Sequence, residues 1–405
     1  MVDLLALVLG RPNAVDAEVN RLTVHALLTA PPVVLVDAAR ASAAARLENF
    51  RVPVWIATIA VQVAALAWFW STGRSAALRD ALRRRIGSEF GARFCFGAAL
   101  AAIDRAAAFV PQALQYRFLR LMDLSELLFR TWLAHWIAGS LVTVVVVGFT
   151  AAIVLDLADR THQWYLYTIA GVMSFTLLIS YATPAVLAPA SEQFIRFAPH
   201  PPLAAAVQGL RRRTGVNIPL YVEVLSRRTR SGRAYVLGWG DSQRGILSDT
   251  LIAGSTNAEL EYFVARLFAW VLANFGLQNA LVQAAFIVVG AALSVLIADR
   301  IGFRRDDDPV SRLALLGAVI GCVYFVALPF YNGYARRADL VIDAAAVGLA
   351  GDRSAAIRAQ VRAADQNLER VCPSRFAQWY LSASPSLGER IAALQGRPNE
   401  CLKRR

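Results

Sequence analysis

The sequence predicts a mainly α-helical, polytopic membrane protein with about six transmembrane helices and a small, water-facing α+β domain. Hydrophobic residues make up 57% of the 405 residues and charged residues only 18%, which is more apolar content than a soluble domain needs for its core. That content is gathered into runs of about 20 residues, the length of a helix that crosses a bilayer. Short runs within residues 219–247 instead alternate with a period of two, which indicates short strands.

Five apolar runs carry no charged residue and are predicted spans. Residues 52–70, 136–155 and 164–187 also have aromatic residues at their boundaries, as interfacial anchors do. Residues 280–298 and 313–328 follow later and are joined by a short charged loop. We therefore expect the last two runs to form a helical hairpin through the membrane.

A sixth span, residues 94–114, carries Asp104 and Arg105 at its middle. A charge at the bilayer centre costs roughly 2.5–3.5 kcal/mol on insertion scales. We expect the two to form a neutralised pair that faces other helices or an aqueous cavity. The functional alternative is a polar site inside the bundle, and Asp104 with Asp156 is weak support for an intramembrane aspartyl protease.

The predicted organisation has five parts. Residues 1–51 are expected to form amphipathic helices on or near the membrane surface, without a cleaved leader because Asp3 stands where a signal peptide is positively charged. Residues 52–190 form the first four spans and 276–331 the hairpin. The segments 191–275 and 332–405 are the two parts of the polar domain.

The net charge of +13 comes almost wholly from arginine, and Lys403 is the only lysine. No nucleic-acid recognition fold accompanies this charge, so the lipid bilayer is the expected partner. A basic cluster between the first two spans is interpreted as a lipid-headgroup contact; it comprises Arg74, Arg79, Arg83, Arg84 and Arg85. The arginine bias suggests a GC-rich bacterial genome and hence a bacterial inner membrane.

The basic loop 73–93 argues for a cytoplasmic position, which places residues 190–275 outside. Arginines on the opposite side leave the orientation open; they are Arg40, Arg46, Arg51, Arg117, Arg120 and Arg130. Cys95 and Cys322 fall in spans and are expected to be small core residues. Cys372 and Cys401 lie in the polar C-terminal region, and we expect them to pair if that region is periplasmic.

Within the polar domain, residues 203–214 and 257–275 have helical spacing. Between them, residues 219–225, 234–239 and 244–247 are predicted strands of a small antiparallel sheet. Two further helices, 334–349 and 354–370, are predicted after the hairpin.

Three segments of the polar domain carry a family resemblance. They are RAYVLGWGDSQRGILSDTLI at 233–252, YARRADLVIDAAAVGL at 334–349 and SPSLGERIAAL at 384–394. Their order and wording resemble the CAAX prenyl protease type 1 family of integral-membrane zinc metallopeptidases. The resemblance implies a membrane-embedded peptidase fold with an H-E-x-x-H helix, whose two histidines bind zinc and whose glutamate activates the bound water.

The resemblance places Arg266, Leu267 and Trp270 where the first histidine, the glutamate and the second histidine stand in the family. Arginine keeps its proton, and leucine and the indole offer no lone pair, so none can perform the role of the residue it replaces. The third-ligand glutamate corresponds to Asp339, followed by Asp343. The chain has four histidines, His25, His135, His162 and His200, all upstream of this helix. Zinc, expected for the family, is predicted to be absent.

Two further family positions differ. The histidine before Pro385, which stabilises the transition state in the family, is Ser384, whereas the neighbouring arginine is retained as Arg390. The asparagine that precedes Ala234 on the substrate-binding edge strand is Arg233.

The leading hypothesis is a catalytically inactive homologue that binds a peptide or a membrane-protein partner, or serves as a scaffold. An extended peptide could add to the strand at 233–239 by main-chain hydrogen bonds; the candidate contacts are Arg233, Ala234, Tyr235 and Arg390. Arg266 is expected to pair with Asp339 in place of the metal charge. The alternatives are repacking of Leu267, Phe268 and Trp270 as inert core in a purely structural subunit, an active zinc endopeptidase with a non-standard site, and a protein that works with a complementing active subunit.

Overall fold

The computed structural model describes residues 19–184, 194–199, 201–302, 308–399 and 401. The predictions for residues 1–18, for residues 185–187 of the fourth span and for His200 lie outside these ranges. Over the described residues, six helices are long and apolar enough to cross a membrane. They are α2 (Ala38–Ser71), α4 (Glu89–Leu121), α5 (Phe129–Arg160), α6 (Trp164–Ala182), α10 (Phe275–Gly302) and α11 (Pro309–Ala350). The predicted polytopic, mainly helical fold is confirmed.

The N-terminal region packs on the polar domain in its described part. Helix α1 (Val24–Thr29) buries Leu27 completely in the main core cluster. Helix α2 begins at Ala38, where the Asp37 carboxylate accepts the backbone N–H of Arg40 and so caps the helix. Its first turns bury Ala43 and Leu47 against Leu368 of the polar domain. The described part of the N-terminal region is therefore packed against the polar domain, and its position near the membrane surface stays a prediction.

Asp104 and Arg105 do not pair with each other, contrary to the prediction. Asp104 accepts a hydrogen bond from Gln62 of α2 at 2.8 Å. The Arg105 guanidinium donates instead to Ser140 of α5 at 3.2 Å and lies over the Trp136 ring at 5.6 Å. Each side chain thus uses the polar groups of a neighbouring helix, which is how charged groups persist in a membrane interior.

The sheet is mixed, and the prediction of a purely antiparallel sheet is wrong. Four strands lie in the order β1-β2-β4-β3; they are β1 (Phe194–Arg196), β2 (Leu220–Glu223), β3 (Ala234–Leu237) and β4 (Arg244–Ser248). The β3–β4 and β1–β2 pairs are antiparallel, but β2 and β4 are parallel. The reason is that β4 lies between β2 and β3. It forms an antiparallel pair with β3 on one side and a parallel pair with β2 on the other, so β3 lies at the edge of the sheet.

Two helices follow the sheet and lead into the membrane. After the short helix α8 (Asp249–Gly254), α9 (Asn257–Leu272) begins with a capping box between Thr256 and Glu259, which satisfies its first free N–H groups. Asn274 adopts a positive φ of 51°, a conformation that asparagine tolerates at helix ends. This residue ends α9, and α10 enters the membrane from Phe275.

The sixth span and the predicted helix 334–349 form one continuous helix of 42 residues, α11. The predicted domain boundary at residue 332 therefore falls inside a helix. Pro329 lies within it, and its missing N–H removes one helical hydrogen bond. The same helix therefore both crosses the membrane and places Asp339 and Asp343 in the polar domain.

The C-terminal part closes over α11. Helix α12 (Arg353–Asn367), a π-helix (Ala377–Leu381) and helix α13 (Leu387–Gln395) follow in order. Residues 203–214 are helical as predicted, in α7 (Pro201–Thr214), and α3 (Arg74–Arg85) connects the first two spans. A disulfide joins Cys372 to Cys401 with a Cα–Cα distance of 5.3 Å. Cys322 is exposed, so its prediction as a core residue is wrong.

Candidate functional site

Arg266 of α9 faces two carboxylates of α11. Its Nη2 lies 2.7 Å from Asp339 Oδ1 and its Nε lies 2.7 Å from Asp343 Oδ1. The two aspartates are four residues apart and therefore lie on one face of α11. The predicted Arg266–Asp339 ion pair is present, and Asp343 extends it to a fork in which one guanidinium holds two carboxylates.

A second arginine contacts the same carboxylates from the opposite side. Arg390 of α13 donates from Nη2 to Asp339 Oδ2 at 2.9 Å, and its Nη1 lies 3.4 Å from Asp343 Oδ2. This last contact is an ion pair without hydrogen-bond geometry. Ser384 Oγ also donates to Asp339 Oδ2, at 2.9 Å. Arg390, predicted as a peptide contact, is thus engaged inside the cluster, where its side chain is 11% exposed.

Two residues that sequence reasoning missed complete the network. Tyr262 donates to Asp343 Oδ1 at 3.2 Å and accepts a hydrogen bond from Gln360 Nε2 at 2.8 Å. Gln360 Oε1 in turn accepts from Arg390 Nη1 at 3.1 Å. Tyr262 precedes Arg266 by one helical turn, so helical spacing could have identified it. Gln360 lies on α12, and no local signal connects it to the site.

The electrostatics of the cluster are balanced. Burial acts to lower the pKa of the Arg266 guanidinium, but attraction to Asp339 and Asp343 prevails and raises that pKa above its usual range. Burial together with the neighbouring Asp343 raises the pKa of the Tyr262 hydroxyl, which therefore stays protonated at neutral pH. Two guanidinium cations offset two carboxylate anions, so the buried cluster carries no net charge.

The residues at this position do not fit a catalytic zinc ion. Zinc binding requires deprotonated nitrogen, sulfur or oxygen ligands, and Arg266 presents only N–H donors. Leu267 is 1% exposed and packs in the core, and Trp270 directs an indole toward Phe275 at 5.7 Å between ring centroids. Within the described ranges, no group of three or more His, Cys, Asp or Glu side chains is placed to hold a metal ion.

Comparisons with known proteins identify the domain that holds this cluster. Residues 198–398 match the family model described as Peptidase family M48. The chain carries an M48 peptidase domain. That match spans α7 through α13 and covers most of both parts of the polar domain, with the membrane hairpin between them.

Two relatives extend the match beyond the M48 domain. The chain is 21% identical over 273 residues to "Uncharacterized metalloprotease YhfN" of Bacillus subtilis (strain 168), an alignment that covers 64% of this chain and 62% of that protein. The alignment thus spans a little under two thirds of the relative's length. The crystal structure of S. mikatae Ste24p matches with a TM-score of 0.70 and 15% identity, over 97% of this chain and 98% of that one. The predicted resemblance to the CAAX prenyl protease type 1 family is confirmed, and the chain is a membrane homologue of the M48 metallopeptidases.

The edge strand of the M48 domain holds the candidate peptide contacts Arg233, Ala234 and Tyr235. Arg233 reaches across β4 to Glu223 of β2, with Nε at 3.0 Å from Oε2 and Nη2 at 2.5 Å from Oε1. Tyr235 donates its hydroxyl to Glu223 Oε2 at 2.9 Å. Burial and the adjacent Glu223 raise the pKa of Tyr235. These contacts fix the two side chains over one face of the sheet and leave the strand edge itself uncovered by them.

The outward main-chain groups of β3 can be assigned from the sheet register. Ser248 N donates to Arg233 O at 2.9 Å, so these two residues form a hydrogen-bonded pair. Such pairs alternate along antiparallel strands, and Ala234 and Val236 therefore direct their N–H and C=O groups away from β4. Neither residue's main chain bonds to a described residue outside the strands.

Among the described residues, two cavities border the edge strand and the arginine–aspartate cluster. The larger has a volume of about 910 Å³ and lies between α5, α6 and the end of β3, where Val236 and Gly238 line it. The smaller, about 230 Å³, is lined by Asp339, Ser384 and Tyr334. Trp270 borders both. The M48 domain therefore keeps open space beside its edge strand and beside the arginine–aspartate cluster.

Proposed function

We propose that this protein is a catalytically inactive M48 homologue that binds an extended polypeptide segment at the open edge of β3. The observation that carries the proposal is the ion-paired Arg266 guanidinium, which contacts Asp339 and Asp343 at 2.7 Å, at the position that the sequence resemblance assigns to the first zinc ligand. In this proposal the protein holds its partner or serves as a scaffold, and it requires no cofactor.

Loss of catalysis follows from the chemistry of the replaced residues. A zinc peptidase needs a metal that activates water and a base that takes the proton. Here the guanidinium supplies the positive charge, but it has no open coordination position for water. Leu267 replaces the general base and is sealed in the core. Because the metal ligands and the general base are missing together, restoring one of these groups by mutation is not expected to restore catalysis.

Retention of binding is supported by the strand edge and the cavities. Adding a strand to a sheet edge needs only free main-chain N–H and C=O groups and room for alternate side chains. Ala234 and Val236 supply the groups, and the cavity of about 910 Å³ supplies the room. Trp270 Nε1 and the Tyr334 hydroxyl are buried beside the smaller cavity and have no hydrogen-bond partner among the described residues. A carbonyl of a bound segment would find two donors there.

A second candidate is a purely structural subunit of a membrane complex. It is favoured by the complete burial of Phe268 and Leu267 in the core cluster that joins α9 to the sheet. The two proposals differ in one respect: only the binding protein needs the outward N–H of Val236. That difference can be measured.

Replacing Val236 by proline is expected to abolish peptide addition while leaving the fold intact. Proline removes the N–H that points to the open edge and takes no hydrogen bond from β4, which is why edge strands tolerate it. The probe is a fluorescent extended peptide with alternating valine and serine residues, and its binding to the purified protein in detergent is followed by anisotropy. We expect at least a tenfold weaker affinity, equivalent to about 1.4 kcal/mol.

Two matched controls accompany this measurement. Val236→Ala keeps the N–H and is expected to bind the probe as the wild type does. A probe with N-methylated amides cannot pair with the edge and is expected to show no binding. Equal binding by Val236→Pro and the wild type, or no binding of the unmodified probe by the wild type, would favour the structural subunit instead.

A further inference from the structure

The polar segments of the chain sort onto two opposite ends of the helical bundle. At one end, Arg83 Nη1 of α3 lies 2.7 Å from Asp308, which begins α11. At the other end, the turn after α4 contacts the M48 domain, where Glu126 N donates to Arg228 O at 2.8 Å. Arg230 there contacts both Asp123 and Glu126. The α3 helix and the M48 domain therefore lie on opposite sides of the membrane.

The end of the helical bundle that holds α3 is rich in the short-loop arginines that determine membrane orientation. The rule that relates charge to orientation counts arginine and lysine in short loops near the ends of spans and disregards long domains. Helix α3 is twelve residues long and reads RSAALRDALRRR, with Arg83, Arg84 and Arg85 in its last turn. Charges of this density favour the anionic cytoplasmic leaflet.

One of the arginines that opposed this orientation in the sequence is held by the folded M48 domain. Arg40 lies in the first turn of α2, and its Nε donates to the carbonyl of Asp365 in α12 at 2.8 Å. Residues built into a folded domain carry less weight in the count than those of a short loop.

The disulfide lies at the end opposite to α3 and is built into the core. Cys401 is 2% exposed, and its Sγ would lie 2.4 Å from a Cβ atom placed on Gly388. Gly388 N donates to Val371 O at 2.9 Å, next to Cys372. The disulfide thus joins the two ends of the segment that carries Ser384 and Arg390, two residues that contact Asp339. Disulfides persist in oxidising compartments and are rare where thiols are kept reduced.

We propose that the M48 domain faces the oxidising, extracytoplasmic side of the membrane, that α3 lies on the cytoplasmic leaflet, and that Cys372–Cys401 is oxidised in the functional protein. Two independent features, the basic α3 and the buried disulfide, give the same orientation. The identity of the partner rests on the proposed function: if that function also holds, the partner of β3 is a segment of an exported or membrane protein that is exposed outside the cytoplasm.

The orientation can be tested with single cysteines in the full-length protein. In a Cys95→Ala, Cys322→Ala background, Ala253→Cys marks the M48 side and Gln163→Cys marks the α3 side. Both sites are exposed and uncharged, so the charge pattern that sets orientation is unchanged. Intact bacterial spheroplasts are treated with a membrane-impermeant maleimide. We expect labelling at position 253 before lysis and at position 163 only after lysis.

The background protein without an added cysteine reports the disulfide. After acid quenching and denaturation, we expect it to take up maleimide only if a reductant is added first. The reverse labelling pattern, or two reactive thiols without reductant, would overturn the proposal. Neither outcome depends on peptide binding, so the orientation and the disulfide can be established even if the proposed function is wrong.

Discussion

Replacing Arg266 by leucine is expected to lower the free energy of unfolding by about 3–5 kcal/mol, because removal of one partner leaves a buried charge uncompensated. Asp339 and Asp343 are 12% and 2% exposed in their side chains, so water cannot take the place of the guanidinium. Arg390 alone then faces two carboxylates. The measurement is urea-induced unfolding in detergent at neutral pH, followed by tryptophan fluorescence.

Two variants separate the loss of charge from the loss of an arginine as such. Arg230→Leu removes the half-exposed arginine that contacts Asp123 and Glu126, and exposed pairs contribute only about 0–1 kcal/mol. In the Arg266→Leu protein, adding Asp343→Asn removes the uncompensated carboxylate and is expected to recover stability. Further destabilisation by Asp343→Asn, as large as in the wild type, would show that Arg266 does not neutralise this site.

Removing the disulfide with Cys372→Ala and Cys401→Ala is expected to lower the free energy of unfolding by about 3–4 kcal/mol. The bridge spans 29 residues, and the loss of chain entropy in the unfolded state scales with that length. The closed segment carries Arg390, so the ion-paired cluster loses part of its support at the same time. Thermal unfolding by circular dichroism, compared with the wild type without reductant, measures this effect.

The free cysteines provide the matched control for the disulfide. Cys95 is half-buried and Cys322 is exposed, so Cys95→Ala with Cys322→Ala is expected to change the free energy of unfolding only slightly. Reductant should destabilise this control protein but leave the Cys372→Ala, Cys401→Ala protein unaffected. Identical melting of all three proteins with and without reductant would contradict a stabilising disulfide.

The membrane fold could be predicted because long apolar runs have few alternative structures in a bilayer. Over the described residues, all six predicted spans correspond to helices. The sheet was harder: the period of two revealed β2, β3 and β4, but strand order depends on where the chain folds back. The parallel β2–β4 pair joins two strands that are separated in the chain by β3, and this non-local pairing cannot be read from alternation. The continuity of α11 was also hidden, because its polarity changes near Tyr334 while its backbone does not.

The candidate site could be predicted where a family pattern fixed the register. Arg266, Asp339, Ser384 and Arg390 converge as that pattern implies. The second carboxylate contact of Arg266 and the Tyr262–Gln360 bridge were not predicted, because they depend on side-chain directions between α9, α11 and α12. Likewise, Glu223 gave no sign that it holds both Arg233 and Tyr235. Such contacts come from tertiary packing and leave no periodic trace in the chain.

The zinc content of the purified protein tests the loss of catalytic chemistry most directly. The protein is expressed in zinc-supplemented medium, purified without chelators beside a zinc-containing M48 peptidase, and analysed by elemental mass spectrometry. Because Arg266, Leu267 and Trp270 cannot ligate the metal, we predict zinc far below one atom per chain and no rise in melting temperature when zinc is added. One zinc atom per chain, removed by a chelator together with hydrolysis of a membrane peptide, would contradict the proposal that this homologue is inactive.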